Sequence, residues 1–411
     1  MITFSDAYHR EGEKFPGFLV YSNLIVSPLK LSSWNAQEIH YPMRVTSIND
    51  IPVSNYSDLM DLTMTLPAGQ EVPFTFDVSG TTVSYLSRIA LFQKRDLLAL
   101  YGVFLVSAFV FFLCGLILWF SKSQDESARL LFFFCLLAAC TVLLVFDMSS
   151  THRFWRLHLG LIPILSASLV HLSFYFPTPR SFLKMHPSAQ WYPYLFSIFM
   201  MLLLQSFFYE AREFWLLVDQ FNMALLFLAG LIFVLTMGVL YRELETVTGK
   251  LQAKALLIGG SMPFGIPILV WILGKTGDLH ASLNLAMLSI AAFPMSIFYT
   301  IVKHDLFGLG GTVKKIAALT FLTVAFSLGY LAIVLITGQR LGFSEEFQNP
   351  LLILIPFGLL AIFVGLFYGW ETSFFKRALF SRSEKYRLLI EGLSSLLSQF
   401  LDKEQIIKIF Q

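Results

Sequence analysis

The chain has 411 residues, of which 56% are hydrophobic and only 14% charged, with a formal net charge of +2. Soluble domains carry roughly 25% charged residues, so an ordinary soluble enzyme is excluded, and the near-neutral balance without a basic stripe excludes nucleic acid as a partner. Apolar runs of about 18 residues or more recur after residue 96, the length a bilayer core demands, so the expected fold class is an α-helical polytopic membrane protein with membrane lipid as its first partner.

Residues 1–96 hold 7 Lys/Arg against 10 Asp/Glu and read as β structure with one helix between residues 16 and 90. Phe18-Leu19-Val20 and Arg44-Val45-Thr46-Ser47-Ile48 have strand composition, Asn49-Asp50 is a turn pair, and Ile51-Pro52-Val53 follows. Ser57 is the expected cap of a short helix through Leu59, Leu62 and Leu66, closed at Gly69. Val72–Val78 is a further strand, ended by a Ser79-Gly80 turn. In order and spacing, the run from Arg44 to Gly80 resembles the central part of a PDZ domain: strand, tight turn, Pro-Val, helix, then a G-x-x-V strand. The resemblance implies an extracytoplasmic α/β domain whose groove takes a peptide or small-molecule signal by strand addition. Phe15-Pro16-Gly17-Phe18 loosely resembles the family's carboxylate loop. The alternative is a small structural cap on the helices.

Residues 97–370 resolve into nine expected spans: Leu97–Phe120, Leu130–Phe146, Leu159–Phe176, Tyr192–Tyr209, Phe221–Tyr241, Ala255–Leu273, Leu283–Val302, Ile316–Thr337 and Pro350–Gly369. Backbone groups in lipid must be satisfied internally, so each is read as a helix. Pro163, Pro263, Pro267, Pro294 and Pro356 lie inside spans and are expected to bend them. Cys114, Cys135 and Cys140 fall in apolar runs and read as small core residues, with no disulfide or zinc spacing.

Orientation follows from the connecting segments. One alternate set carries Lys122, Arg129, Arg180, Lys184, Arg242, Lys250, Lys254, Lys303, Lys314 and Lys315; the other carries only Arg153, Arg156, Arg212, Lys275 and Arg340. The richer set is expected in the cytoplasm of a bacterial inner membrane, with residues 1–96 outside. A net-acidic domain must then cross the membrane, although Met1–Asp6 begins no signal peptide and no apolar run precedes it. An upstream helix, and hence a longer protein of which this chain is an excerpt, is the expectation. The end at Ile409-Phe410-Gln411, within a helical pattern, points the same way.

The chemistry-bearing motifs are sparse. An intramembrane metalloprotease needs H-E-x-x-H, and none of the eight His residues is followed by Glu. Gly274–Asp278 contains Gly-Asp without a second intramembrane Asp, and no P-loop is present. No catalytic residue, cofactor or metal site is therefore expected. By the span boundaries above, no Asp, Glu, Lys or Arg lies within a span, which argues against ion-coupled transport. His171, Gln205 and Asn284 are the polar candidates for ligand contact or signal relay. For His171 the alternative is a hydrogen bond to a neighbouring helix.

Residues 371–411 change character. Tyr386, Leu389, Leu393, Leu396 and Phe400 recur at three- and four-residue steps, the seam of a coiled coil about two heptads long. A homodimer through this cytoplasmic helix is expected, with a single amphipathic helix as the alternative. Asp402 and Gln405 then open a new helix in a capping-box pattern, which resembles the start of a GAF-like domain.

Taken in order, these features resemble the membrane-sensor region of competence-type quorum-sensing histidine kinases. The matching residues are His171–Pro177, similar to the family's H-L-x-x-x-F-P; Arg242 and Gln252-Ala253-Lys254 before Gly259-Gly260; Ile301–Phe307; and Phe374–Arg377 at the exit. The resemblance implies a sensory input module of a bacterial two-component signal-transduction protein, with the output activity residing in domains beyond these residues. A permease-like or structural membrane protein without signalling output is the alternative.

Overall fold

A computed structural model describes residues 10–304, apart from 32, 33, 35–37, 123, 177–179, 181, 210, 211 and 277–286. The expected spans Ile316–Thr337 and Pro350–Gly369, Asn284 and the seam from Tyr386 to Phe400 lie outside the described residues.

The N-terminal part is a small sheet domain. Strands β2 (Arg44–Ile48), β3 (Ile51–Pro52), β4 (Glu71–Val78) and β5 (Thr81–Arg88) form an antiparallel sheet in the order β3-β2-β4-β5, while β1 (Lys14–Phe15) pairs with β6 (Ala90–Leu91). Both hairpin turns are where the sequence places them. Asn49 and Asp50 adopt φ of 49° and 65°, and Ser79 and Gly80 adopt 51° and 85°. Two successive left-handed residues twist a tight turn to match the strands it joins. Valines and phenylalanines at alternate positions of β4 then face one side, so Val72, Phe74 and Phe76 are buried with Val45, Ile48 and Leu59.

Two local expectations need correction. Helix α1 (Tyr56–Thr65) is capped by Asn55 rather than Ser57: the Asn55 side-chain oxygen accepts the Asp58 N–H at 3.0 Å. Asn55 has the extended backbone a cap requires, whereas Ser57 is already inside the first turn. Phe18–Val20 is no strand. Phe18 drops into the core against Phe74, with ring centroids 5.2 Å apart, and Val20 makes only an isolated bridge to Val26.

The remainder is helical: α2 (Val103–Lys122), α3 (Glu126–Leu143), the short α4 (Val145–Ser149), α5 (Trp155–Tyr175), α6 (Tyr192–Ser206), α7 (Arg212–Glu243), α8 (Val247–Thr276) and α9 (Ala292–His304). A helical lead-in, Lys94–Leu97, and a π-helical turn, Leu98–Gly102, run directly into α2. Among the described residues, five stretches are long and apolar enough to cross a membrane: Ala99–Phe120, Glu126–Ser149, Trp155–Tyr175, Arg212–Glu243 and Val247–Val270. They mark a membrane-associated protein. The expected fourth span shortens to the 15 residues of α6, and the described part of the seventh is a 3-10 turn, Met287–Ala291, that leads into the 13 residues of α9.

Helices α2, α3, α5, α7, α8 and α9 pack successively, with α9 returning to α2 and α6 lying against α5. Phe293 closes this arrangement: its ring lies 5.4 Å from Phe134, 5.2 Å from Phe233 and 6.4 Å from Phe111. Glycines set the closest approaches, since a Cβ at Gly259 would overlap the Ser296 side chain and lie 3.1 Å from the Ala292 carbonyl. Cys114 and Cys135 are buried as expected, but Cys140 is exposed on the outer surface of α3.

Helix α7 also begins earlier than the expected span. It starts at Arg212, nine residues before Phe221, and so carries Asp219 on the same helix, two residues ahead of the expected span. At 1.5 Å per residue its 32 residues reach about 48 Å, well beyond a bilayer core of about 30 Å. The excess has another use, which is to carry the sheet domain.

Candidate functional site

The candidate site is the joint between the sheet domain and the helix ends beneath it. Its centre is the turn Tyr21–Ser27. The Tyr21 N–H donates to the Ile25 carbonyl at 2.8 Å, and Leu24, at φ 67°, reverses the chain. Alternation across this turn divides its side chains between two cores. Leu24 and Val26 belong to the core of the sheet domain, whereas Ile25 belongs to a cluster with Met148, Trp155, Leu159, Met200, Leu204, Phe208 and Trp215 from the helices. Full burial of one such side chain contributes about 1.5–3 kcal/mol.

Polar groups fix the same turn. The Asn23 side-chain amide donates to the Phe208 carbonyl at 3.1 Å, just past the end of α6, and Ser27 Oγ donates to Ser149 Oγ at 2.9 Å. The Tyr209 hydroxyl meets Ser22 Oγ at 3.3 Å. Trp155 and Phe208 stack at 4.2 Å beneath them.

A second contact surrounds the link between α4 and α5. Asp147 is 2% exposed and its carboxylate organises this link: Thr151 donates at 2.5 Å, the Phe154 N–H at 2.8 Å and the Arg153 N–H at 3.3 Å. The loop so held presents His152, which sits at φ 54°. Its Nε2 lies 2.8 Å from the Val20 carbonyl, and its ring packs 4.1 Å from that of Tyr56. The Tyr56 hydroxyl donates to the Ser150 carbonyl at 3.1 Å and receives the Arg10 guanidinium at 2.6 Å. Arg10 donates to the Ser150 carbonyl as well. Burial holds the His152 imidazole down to about 4, opposed by its bond to Val20 and reinforced by Arg10.

The third contact joins β4 to α7. Arg212 pairs with the Asp77 carboxylate and donates to the Asp77 carbonyl at 2.9 Å and the Pro42 carbonyl at 3.0 Å. Two turns further along α7, Asp219 accepts the Tyr41 hydroxyl at 3.0 Å. Burial raises the Tyr41 and Tyr21 phenols above their ordinary range, with the Asp219 carboxylate adding to both. An open cleft of about 490 Å³ is lined here by Arg44, Asp77, Gly80, Arg212, Glu213 and Phe214. Asn222, deeper on α7, is fully buried and its amide has no hydrogen-bond partner among the described residues.

The expected candidates are not drawn into this joint as a group. His171 lies elsewhere, its Nδ1 3.1 Å from the Tyr194 hydroxyl, which is the interhelical bond given as its alternative role. Gln205 ties α6 to the start of α5 by donating to the Arg156 carbonyl at 2.5 Å. The residues that build the joint were passed over because Tyr21–Ser27 lacks strand length. The signal was present in Ser22-Asn23, a turn pair between apolar alternations. Three of the four arginines that run against the charge bias are also accounted for. Arg212 is bound to Asp77, Arg153 lies 5.9 Å from the centre of the Phe154 ring, and Arg156 lies 4.9 Å from that of Trp155.

The opposite end of the bundle carries the other loops. Ser127 bonds the Tyr175 carbonyl, Arg180 pairs with Glu243 at 3.6 Å, and Gln252 donates to the His304 carbonyl at 2.8 Å. Among the described residues, the loops therefore segregate by end in the two sets that the charge count separates. No family model matches the chain, and no curated protein or solved structure matches it either.

Proposed function

We propose that residues 1–411 form the membrane-embedded input module of a bacterial signal-transduction protein of the sensor histidine kinase type. The observation that supports this reading most is the three-part joint. The sheet domain is bonded to α4, α5, α6 and α7 rather than tethered by a linker, so a ligand that displaces it must displace helix ends. In this reading the domain lies outside the bacterial inner membrane and the Arg180, Lys254 and Lys303 end faces the cytoplasm, as the positive-inside bias requires. The PDZ-like segment would receive a peptide or small-molecule signal, and the seam through Tyr386, Leu389, Leu393, Leu396 and Phe400 would carry it to a dimeric output domain.

A chimera tests this. Residues 1–411 are joined in frame to a heterologous histidine-kinase core, and autophosphorylation is measured for the parent and for Arg212→Ala, which loosens the joint. A several-fold change in kinase activity supports the reading. Unchanged activity, with the domain demonstrably loosened, favours a permease-like or structural protein instead.

A further inference from the structure

We propose that His152 is a proton-operated latch: neutral, it holds the sheet domain on the helix ends, and protonated, it releases it. The geometry fixes the tautomer. Nε2 faces a carbonyl, that of Val20 at 2.8 Å, and a carbonyl only accepts, so Nε2 carries the hydrogen. Nδ1 is then a bare lone pair, sealed from solvent with no partner among the described residues. Protonation adds an N–H at that atom where nothing is placed to accept it, and a buried donor without an acceptor is costly.

The surrounding charges oppose the imidazolium as well. Arg10, on the segment before β1, is the nearest cation, and its own counter-ion Glu13 lies 3.4 Å from it. Tyr56, on α1, presents a ring edge-on and has its hydroxyl engaged with Arg10 and Ser150. Asp147, on α4, is the nearby carboxylate, but both its oxygens are occupied by Thr151, Arg153 and Phe154. Among the described residues, no element packed on His152 offers an uncommitted anion. The φ of 54° fixes the residue further, since a non-glycine side chain in the left-handed region is held there by its surroundings.

The sign follows from linkage. A free imidazole titrates near 6.5, and the docked one is held down to about 4. Docking is at full strength above about pH 6.5 and is lost as pH falls through the window from about 6.5 to 4. The ratio of docked to released domain changes by up to about tenfold per pH unit within it. The device goes beyond the sensory reading and does not require it.

The test uses the full chain in lipid nanodiscs with Cys140→Ala. Spin labels are attached at neutral pH to Ser84→Cys on β5 and Leu157→Cys on α5, both exposed, and their separation is measured by pulsed EPR from pH 7.5 to 4.5. A single distance at pH 7.5 that broadens to longer values below about pH 6.5 is expected. His152→Gln keeps an N–H for Val20 but cannot take a proton, and should hold the short distance throughout. An unchanged distance in the parent down to pH 4.5, or the same transition in His152→Gln, would overturn the latch. Should His152→Gln fail to fold, the Ser27→Cys/Ser149→Cys disulfide serves in its place: locking the domain must abolish the transition, and persistence of the transition counts against the proposal. Acid release without any change in the kinase chimera would leave the latch standing and remove the sensory reading.

Discussion

Arg212 and Asp77 are 135 positions apart in the chain, and the first residue of α7 is nonetheless bound by the end of β4. The guanidinium satisfies one carboxylate and two carbonyls at once, a fork that an ammonium group cannot reproduce. Arg212 is 12% exposed in its side chain and Asp77 32%, so the pair is partly shielded from water.

Removal of that fork should loosen the domain without unfolding the bundle. Arg212→Ala is expected to cost about 2 kcal/mol of docking, and Arg212→Lys somewhat less. Hydrogen exchange at Tyr21–Ser27 should accelerate by roughly 30-fold in the alanine variant. Exchange rates equal to the parent's would show that Arg212 does not hold the joint.

Ile25 supplies the apolar half. Ile25→Ala should cost about 2–5 kcal/mol and Ile25→Val about 0.5–1.5 kcal/mol, in proportion to the cavity each leaves. The measurement is thermal unfolding of the purified chain followed by tryptophan fluorescence, because Trp155 and Trp215 lie in the same cluster. Equal effects of the two substitutions would argue that Ile25 is not enclosed.

How much of this was legible in the sequence depends on the range of the interaction. Asn49-Asp50 and Ser79-Gly80 announce their hairpins because left-handed turns draw on few residue types, and the apolar runs announce membrane helices because lipid leaves the backbone no other partner. Asn55 was missed as a cap because Ser57 is an equally good cap by composition, and only the start of the helix decides between them. The joint was illegible for a different reason. Asn23, Ser27 and His152 are ordinary residues in short loops, and their roles appear only when Phe208, Ser149 and Val20 come within reach from more than 100 positions away.

Asn222 has a fully buried amide with neither atom paired among the described residues. Replacing it with leucine removes a desolvated polar group, and stability should rise by about 1–3 kcal/mol. A higher midpoint for Asn222→Leu in the same fluorescence assay is the expected result. A lower midpoint would mean that the amide is satisfied by a group beyond the described residues.

Two glycines, Gly259 on α8 and Gly238 on α7, separate packing from propensity. Gly259→Val drives side-chain atoms into Ser296 and the Ala292 carbonyl and should cost about 3 kcal/mol or more, whereas Gly238→Ala meets open space and should be neutral or gain about 0.5–1 kcal/mol. If both variants unfold at the parent's temperature, α8 and α9 are not in close contact.

Segregation of the loops by end has a direct chemical check. Glu213→Cys and Glu245→Cys place exposed thiols at the two ends of α7 and its following turn. A membrane-impermeant maleimide applied to intact cells should label the first and spare the second. Labelling of Glu245→Cys alone would invert the orientation.

The lead-in Lys94–Leu97, the π turn Leu98–Gly102 and α2 make one uninterrupted rod from Lys94 to Lys122. It is the single covalent exit from the sheet domain into the bundle, and at 1.5 Å per residue it is roughly 40 Å long. Rigid over that span, it acts as a lever whose short arm is seated among the domain's attachments. A tilt of about 5° at the π turn, small enough for packed side chains to follow, would sweep the far end near Lys122 sideways by roughly 3 Å, more than half the spacing between successive turns of a helix.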